Sequence, residues 1–422
     1  MIPIPDGLPA HVVPDDLPAY VYDLGALDAH AAAVRAAMGE VEIYYAVKAN
    51  PDPRLLRVLA RHVDGFEVSS GGELAHVRAL FPGMPVALGG PGKTDADLAA
   101  DVTRLHVESP GELRRLLEGR LRENASRGDV PRGDARPGDA RLGDTRQEDR
   151  RPVDVLLRVN LDVPVTGAAL AMGGGATPFG MDPDGIAECV ALLPDDRTPP
   201  ADRPDQMDRA ALADQVNRTD QADLAGRSPV RLRGIHAHLA SGLDAPALLE
   251  LARAVLEHAR ELGVSEINLG GGMAVSYADP GARFDWRSYG EGLAELRRPG
   301  EVLRIEPGRA LTAYCGRYVT RVIDVKRVHG ELFAVVAGGT HHLRTPAAKG
   351  HSQPLSAPGA LPEGEPITIV GQLCTPKDVL ARHVPVRLAV GDVVEFAMAG
   401  AYAWNISHHD FLMHPAPGFH YL

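Results

Sequence analysis

The amino-acid sequence predicts a (β/α)8 barrel joined to an antiparallel β domain. Three observations carry this. Short apolar runs alternate with amphipathic stretches from Tyr20 to roughly Ala310, eight such runs occur in that span, and after about Thr312 the texture changes to longer strands broken by turns. A chain of 422 residues can bury two cores. The expected division is 1–22 as a segment joining the β domain, 23–311 as the barrel and 312–422 as the β domain. A doubly wound open sheet would give similar alternation, so the strand count supports the barrel without proving it.

Taken in order, a strand near His11–Val13 is expected to add to the β domain. The first barrel strand is Ile43–Val47, apolar, β-branched and aromatic, with Lys48 at its C-terminal end. Pro53–His62 follows as a helix: Asp52 caps it, proline fits its first turn, and Leu55, Leu56, Val58 and Leu59 supply a core face. The other seven strands are Phe66–Val68, Val86–Leu88, Leu105–Val107, Val155–Val159, Ile235–Leu239, Ile267–Leu269 and Leu303–Ile305. Helices Gly72–Leu80, Pro110–Leu121, Asp184–Leu193 and Pro246–Leu262 fall between them. Two polar stretches interrupt the alternation. Residues 124–152 carry a Gly-Asp quasi-repeat with almost no apolar side chains, so burial cannot offset the entropy of ordering them. Residues 195–228 are a second polar insertion, within which Met207–Leu224 could form a weak helix; both are expected to be flexible excursions. In the β domain, Arg317–Gly339 reads as a hairpin turning at His329-Gly330, followed by strands Ile367–Leu373, Val386–Leu388 and Val393–Ala399.

Acidic residues outnumber basic ones, 56 to 44, which argues against a general nucleic-acid binder. Cys189, Cys315 and Cys374 are too few and too scattered for a disulfide framework or a zinc site, so no metal is expected. The first residues lack the basic and apolar regions of a signal peptide, and no apolar run is long enough to span a bilayer. A reducing cytoplasm is the expected setting.

The chemistry lies at strand ends. Lysine is a strongly hydrated cation, so Lys48 at the end of a core strand either snorkels to solvent or serves as a reactive amine. GIHAHLASG places His236 and His238 on one side of a strand, with Ser241 just beyond; His236 reads equally well as a satisfied core histidine. NLGGGMAV sets Gly270–Gly272 directly after a strand, where missing side chains let backbone N–H groups close on an anion. RIEPGRAL puts Glu306 at a strand end and Arg309 three residues on, a candidate second phosphate contact. An amine, an imidazole that can stack, a glycine loop with an arginine and a carboxylate are the set that pyridoxal phosphate requires.

YAVKAN, HAHLASG, NLGGG, EPGRAL, GQLC at Gly371–Cys374 and GAY at Gly400–Tyr402 resemble the fold-type III decarboxylases. These are the diaminopimelate and ornithine decarboxylases, built on an alanine-racemase-like barrel plus a β domain. The resemblance runs from about Ala19 to Leu422, apart from the two insertions. It implies that Lys48 is the Schiff-base lysine and that His238 stacks on the cofactor ring. It further implies that Ser241, Gly271, Gly272, Arg309 and Tyr402 contact the phosphate and that Glu306 pairs with the pyridine nitrogen. Cys374 would protonate the carbanion left when carbon dioxide departs, reaching in from the partner subunit of a homodimer. Alanine racemases present an arginine to the ring nitrogen, so Glu306 favours decarboxylation over racemisation.

Departures from the family pattern bear on substrate. Diaminopimelate and ornithine decarboxylases usually follow the cysteine with an acidic residue; here the run is Cys374-Thr375-Pro376-Lys377-Asp378. Thr375 is a poor match for a distal ammonium and a fair one for carboxylates. The run Gly338–Ala347 and the C-terminal GAYAWNISHHDFLMHP are similar to decarboxylases of siderophore assembly, of the staphyloferrin B type, which act on a citryl-diaminopropionate. His341, His342, Arg344, His408 and His409 would form a cationic mouth for citryl carboxylates, or else only pack and hydrogen-bond at an interface. The competing readings are meso-diaminopimelate decarboxylation in lysine synthesis and a non-catalytic carrier of the cofactor. The β domain and the retention of Lys48, Cys374 and Glu306 oppose the carrier.

Overall fold

The computed structural model describes residues 16–128, 152–163, 170–171, 173–193, 229–344, 353–358 and 364–422. The expected strand near His11–Val13, the helix Met207–Leu224 and most of both polar insertions lie outside them.

Strand β1 (Ala19–Tyr22) precedes the barrel, whose strands are β2 (Glu42–Ala46), β3 (Gly65–Val68), β4 (Val86–Leu88), β5 (Arg104–Val107) and β6 (Val153–Arg158). A short pair, β7 (Leu170–Ala171) and β9 (Ala240–Ser241), flanks β8 (Val230–His236), and β10 (Glu266–Asn268) and β11 (Val302–Ile305) complete the barrel. The eight parallel strands close in the order β10-β11-β2-β3-β4-β5-β6-β8. All four residues of β3 and all three of β4 are buried, the continuous burial of strands covered on both faces. Every expected barrel strand is present to within a few residues. The largest shift is at β8, which leaves the ladder after His236; His238 therefore lies in the loop beyond the strand rather than on it.

The helices that cover the barrel start where short polar side chains meet bare N–H groups. Asp23 caps α1 (Leu24–Met38), and Asp52 caps α2 (Pro53–Leu59) by accepting from the Arg54 and Leu55 N–H groups. Helices α3 (Gly71–Leu80), α4 (Asp95–Leu98), α5 (Pro110–Gly128) and α6 (Pro183–Leu192) follow, and α5 takes up the first residues of the polar insertion. Then come α7 (Ala245–Glu261), α8 (Trp286–Leu296) and α9 (Arg309–Thr312). The sequence reading passes over the single-turn helices α4 and α9 and the longer α1 and α8. Alanines blur the apolar stripe of α1, and Gly290 and Gly292 weaken the helical signal of α8. Gly290 is there for contact: a Cβ on it would stand 2.1 Å from Ala37 O of α1.

At the N-terminal ends of the strands, ion pairs tie the barrel together. Glu266 accepts from Arg104 Nε at 2.6 Å and from Arg304 Nη1 at 2.8 Å, and Arg304 Nε donates to Glu42 at 3.0 Å. Four strands are thereby joined through charge-assisted bonds away from the opposite, chemical end.

The β domain runs through β12 (Gly316–Val328), β13 (Glu331–Val336), β14 (Leu355–Ser356), β15 (Ile367–Val370), β16 (Val379–Val384), β17 (Val393–Phe396) and β18 (Gly418–Tyr421). With β1 these make one eight-stranded sheet. Two pairings, β13 with β15 and β1 with β18, are parallel, so the sheet is mostly rather than wholly antiparallel. The expected strand Val386–Leu388 is displaced: the ladder is made by β16, and Pro385, which has no N–H, ends it. Among the described residues no helix is long and apolar enough to cross a membrane.

Gly290→Ala should push α8 away from α1 and lower stability by about 1–3 kcal/mol, the usual cost of overpacking. Equilibrium denaturation checks this; an unchanged midpoint would show that the helices separate freely.

Candidate active site

The polar groups gather at the C-terminal ends of the strands, the end at which barrels of this architecture carry their chemistry. β2 stops at Ala46, and Lys48 sits in the middle of the 3-10 turn Val47–Ala49. The β domain's C-terminal segment clamps that turn. Asn405 Nδ2 donates to Lys48 O at 2.7 Å, the Tyr402 N–H donates to Ala49 O at 2.8 Å, and Asn50 Nδ2 donates to Gly400 O at 2.9 Å. Tyr402 holds a φ of 50°, left-handed backbone that a residue with a Cβ seldom adopts.

Lys48 Nζ lies 2.6 Å from Glu67 Oε2 and 3.5 Å from Ser69 Oγ. The lysine side chain is 43% exposed while Glu67 is only 5% exposed, so the amine stands at the mouth over a buried carboxylate. Burial pulls the ammonium down, but the charge of Glu67, with Tyr402 and Glu306 in the same direction and the Glu67 hydrogen bond, outweighs it and holds Lys48 above the ordinary lysine range.

Glu306 follows β11 and is buried. Its Oε1 accepts from Asn268 Nδ2 at 2.7 Å, and its Oε2 lies 3.0 Å from His236 Nε2. The His236 ring is stacked on His106, with centroids 4.2 Å apart. His238 lies half-buried in the loop after β8; its Nδ1 accepts the Gly271 N–H at 3.1 Å, leaving the proton of the neutral ring on Nε2, 3.5 Å from Ser241 Oγ. Burial, with Lys48 and Arg158 adding, lowers His238 to about 4, so the ring is uncharged at neutral pH.

Arg309 lies beyond Glu306. Its Nη1 donates to Tyr277 OH at 2.6 Å, and the guanidinium stands 4.6 Å from the Tyr402 ring centroid. Gly270 and Gly272 hold φ of 66° and 106°, and a Cβ on Gly272 would lie 2.3 Å from Ala240 O, so the glycines are demanded by backbone shape and close approach. Gly270 N–H donates to Asn268 Oδ1 at 2.9 Å. With Gly271 N–H on His238, two of the three glycine N–H groups thus serve the protein itself rather than an open anion cradle.

The residues expected to choose the substrate belong to the β domain. Cys374 is exposed on the loop Gly371–Asp378, whose shape is set by Asp378, a buried carboxylate that accepts from the Leu373 N–H at 2.8 Å and the Thr340 N–H at 2.7 Å. Thr375 is half-buried beside it. Among the described residues no hydrogen bond ties Cys374 to the Lys48 cluster within one chain. Arg344 is exposed, its N–H donating to Ser407 Oγ at 3.0 Å and its Nη1 to Ile406 O at 3.4 Å. It therefore borders the segment that holds Lys48. His408 is exposed, and His409 stacks on Trp404 at 3.7 Å.

His341 and His342 depart from the expectation of a cationic mouth. Both are buried and packed 4.0 Å ring to ring, and burial lowers each to about 4, with His414 and His408 adding at His341 and His341 adding at His342. His342 is already satisfied by Tyr318 OH and Pro415 O. They are neutral packing groups, and Arg344 is the cation of this cluster.

The site also holds Glu67, Ser69, His106, Asn268, Tyr277 and Asn405, which the sequence reading passed over. Glu67 in GFEV, His106 in LHV and Asn268 in IN carried the signal that had identified Lys48, a polar residue at the end of an apolar strand.

These groups fit the parts of pyridoxal phosphate. Lys48 offers an amine for the aldehyde, and Glu306 a carboxylate for the ring nitrogen. His238 offers a flat neutral ring, and Arg309 with the Ser241 and Tyr402 hydroxyls offers donors for the phosphate.

Residues 19–400 match the sequence profile of the pyridoxal-dependent decarboxylases, C-terminal sheet domain. A 2-[(L-alanin-3-ylcarbamoyl)methyl]-2-hydroxybutanedioate decarboxylase of Staphylococcus aureus is 34% identical over 96% of this chain and 93% of its own. A diaminopimelate decarboxylase of Actinosynnema pretiosum is 31% identical over 91% of this chain and 79% of its own. In fold, a crystal structure of diaminopimelate decarboxylase from Helicobacter pylori superposes with a TM-score of 0.75 at 20% identity, covering 98% of this chain and 92% of that one.

Glu67→Gln removes the charge that raises Lys48, so the pKa of the amine should fall. The cofactor-free protein should then capture pyridoxal phosphate faster at neutral pH, read by borohydride trapping and peptide mapping at Lys48. An unaltered pH dependence of trapping would show that Glu67 does not control the amine.

Proposed function

The chain belongs to the pyridoxal-dependent decarboxylases, and from that membership we propose that it removes the α-carboxylate of a carboxylate-rich amino-acid conjugate, as a cytoplasmic homodimer. It is a carboxy-lyase and pyridoxal phosphate is its cofactor.

The proposed substrate is the compound for which the Staphylococcus aureus relative is named. One end is an α-amino acid; the other is a 2-hydroxybutanedioate arm, reached through an amide. The observation that carries this reading is Arg344, exposed and anchored to Ile406 and Ser407, next to the Asn405 that grips Lys48. A cation at that place suits the two distal carboxylates. Thr375 supports the same reading, since a threonine rather than an acidic side chain directly follows Cys374 where a second ammonium would be met. The substrate places this enzyme in siderophore assembly.

The bound cofactor supplies a ring that accepts the electron pair left on the α-carbon. The chain's own residues do the rest. Lys48 Nζ must lose a proton before it can act as a nucleophile; Glu67 Oε2, 2.6 Å away, holds the ammonium form, and the exposed mouth lets water carry the proton off. Glu306 would hold the ring nitrogen, His238 would lie against the ring, and Ser241, Gly272, Arg309 and Tyr402 would hold the phosphate, with Gly271 joining them only by giving up its N–H bond to His238. The Cα–carboxylate bond breaks, carbon dioxide leaves, and Cys374 Sγ of the partner subunit delivers a proton to Cα; the thiolate regains its proton from water. The exposure of Cys374 in the single chain supports action across an interface.

Incubated with the hydroxybutanedioate conjugate, the holoenzyme should release carbon dioxide. With meso-diaminopimelate it should form little lysine; comparable turnover there would sink the substrate assignment. Cys374→Ala should keep its cofactor and lose turnover by about a hundredfold, and wild-type turnover would remove the thiol from the reaction.

Arg344→Gln should raise KM for the conjugate by about ten- to a hundredfold, the worth of a hydrogen bond to a charged group, with kcat changed far less. An unchanged KM would place the distal carboxylates elsewhere.

A further inference from the structure

One pair of buried side chains is not used by the proposed chemistry. His106 on β5 and His236 on β8 face each other across the barrel interior with ring planes 13° apart and centroids at 4.2 Å. They are 1% and 4% exposed. His236 Nε2 lies 3.0 Å from Glu306 Oε2, while its Nδ1 is buried without a hydrogen-bond partner. His106 Nε2 is also buried without a partner, 3.9 Å from Glu306 Oε1. Leaving such atoms unpaired is unfavourable, and an aliphatic residue in either place would avoid it.

We propose that His106 and His236 are a stacked positioning pair that, with Asn268, fixes the Glu306 carboxylate in the orientation it presents to the cofactor's ring nitrogen. This rests on the assignment of Glu306 to that nitrogen. A carboxylate on a flexible stem can rotate; two donors from opposite sides stop it. Asn268 Nδ2 holds one oxygen at 2.7 Å and His236 the other. His236 can aim its Nε2–H only while its ring plane is held, and the flat face of His106 holds it. A neutral imidazole donates this bond without cancelling the carboxylate's charge, whereas an imidazolium would compete with the ring nitrogen for it.

The surroundings keep both rings neutral. Burial lowers His236 well below the usual range, with Arg158, His238, Lys48 and Lys93 adding. Burial and His236 itself do the same for His106, with Lys93 and Arg304 adding against the opposing pull of Glu306. The spacing of His106, His236 and Glu306 would also admit a metal ion, but those lysines and arginines repel one.

The test compares cofactor affinity of the cofactor-free protein and the absorption band of the bound cofactor, with circular dichroism as the check on folding. Glu306→Gln sets the reference by altering both. His236→Phe, which stacks but cannot donate, should weaken cofactor binding about tenfold or more, the loss of one bond to a charged group, and shift the band in the same direction as Glu306→Gln. His236→Gln, which can still donate, should fall near wild type. His106→Ala should behave like His236→Phe, while His106→Phe, which restores a flat face, should recover most of the affinity. Wild-type affinity and absorption in His236→Phe, beside an altered Glu306→Gln, would overturn the positioning role alone. A His106→Phe as defective as His106→Ala would overturn the stacking. An unaltered Glu306→Gln would overturn the assignment of Glu306 and this inference with it.

Discussion

A carboxylate closed inside a barrel must find donors, and Glu306 is the constraint around which this site is built. It sits at the end of β11, buried, where water cannot solvate it. The barrel meets the demand from the neighbouring strands, with Asn268 from β10 and His236 from β8, whose Cα atoms are register partners. Parallel pairing makes this possible: equivalent positions of adjacent strands come to the same height, so short polar side chains near the ends of different strands can share one carboxylate. The opposite end of the barrel uses charge differently. There Glu42, Arg104, Glu266 and Arg304 neutralise one another in fixed pairs, which braces the strands and leaves little chemical freedom.

The reactive lysine depends on both parts of the molecule. β2 brings Lys48 to the mouth and Glu67 supplies its counter-charge, yet the turn that carries it is held by Gly400, Tyr402 and Asn405. Movement of the C-terminal segment therefore moves the amine. The same segment anchors Arg344, so the cation proposed to meet substrate and the lysine share a support. Family membership accounts for the cofactor and the reaction class; the departure from the diamine-acting relatives lies in the β-domain loops at Thr375 and Arg344.

Much of the barrel was legible because its strands are short, apolar and separated by capped helices. The reading lost accuracy where that signal weakens. Helix α1 is too rich in alanine to show a stripe, and β16 mixes Arg382 and His383 into its run, with His383 at a φ of 50°. For the site, Lys48, His238, Glu306 and Arg309 stood out because each interrupts or follows an apolar strand. Glu67 and His106 interrupt strands too but lie outside the motifs, and Asn268, which opens NLGGGMAV, is overshadowed there by the glycines that follow it. For His341 and His342 the sequence left a cationic mouth and simple packing both open, since histidine is neutral or cationic according to burial and a one-dimensional pattern carries no burial.

The sequence by itself determined the fold class and the cofactor and nominated residues to hold it, because these follow from local period, strand-end polarity and short motifs. Tertiary structure alone decided which groups face one another. The pairing of Lys48 with Glu67, the stack of His106 on His236 beneath Glu306, and the clamp of Asn405 on the lysine turn all join residues distant in sequence. Their partnership arises only when strands close in register and the chain's end folds back onto its beginning.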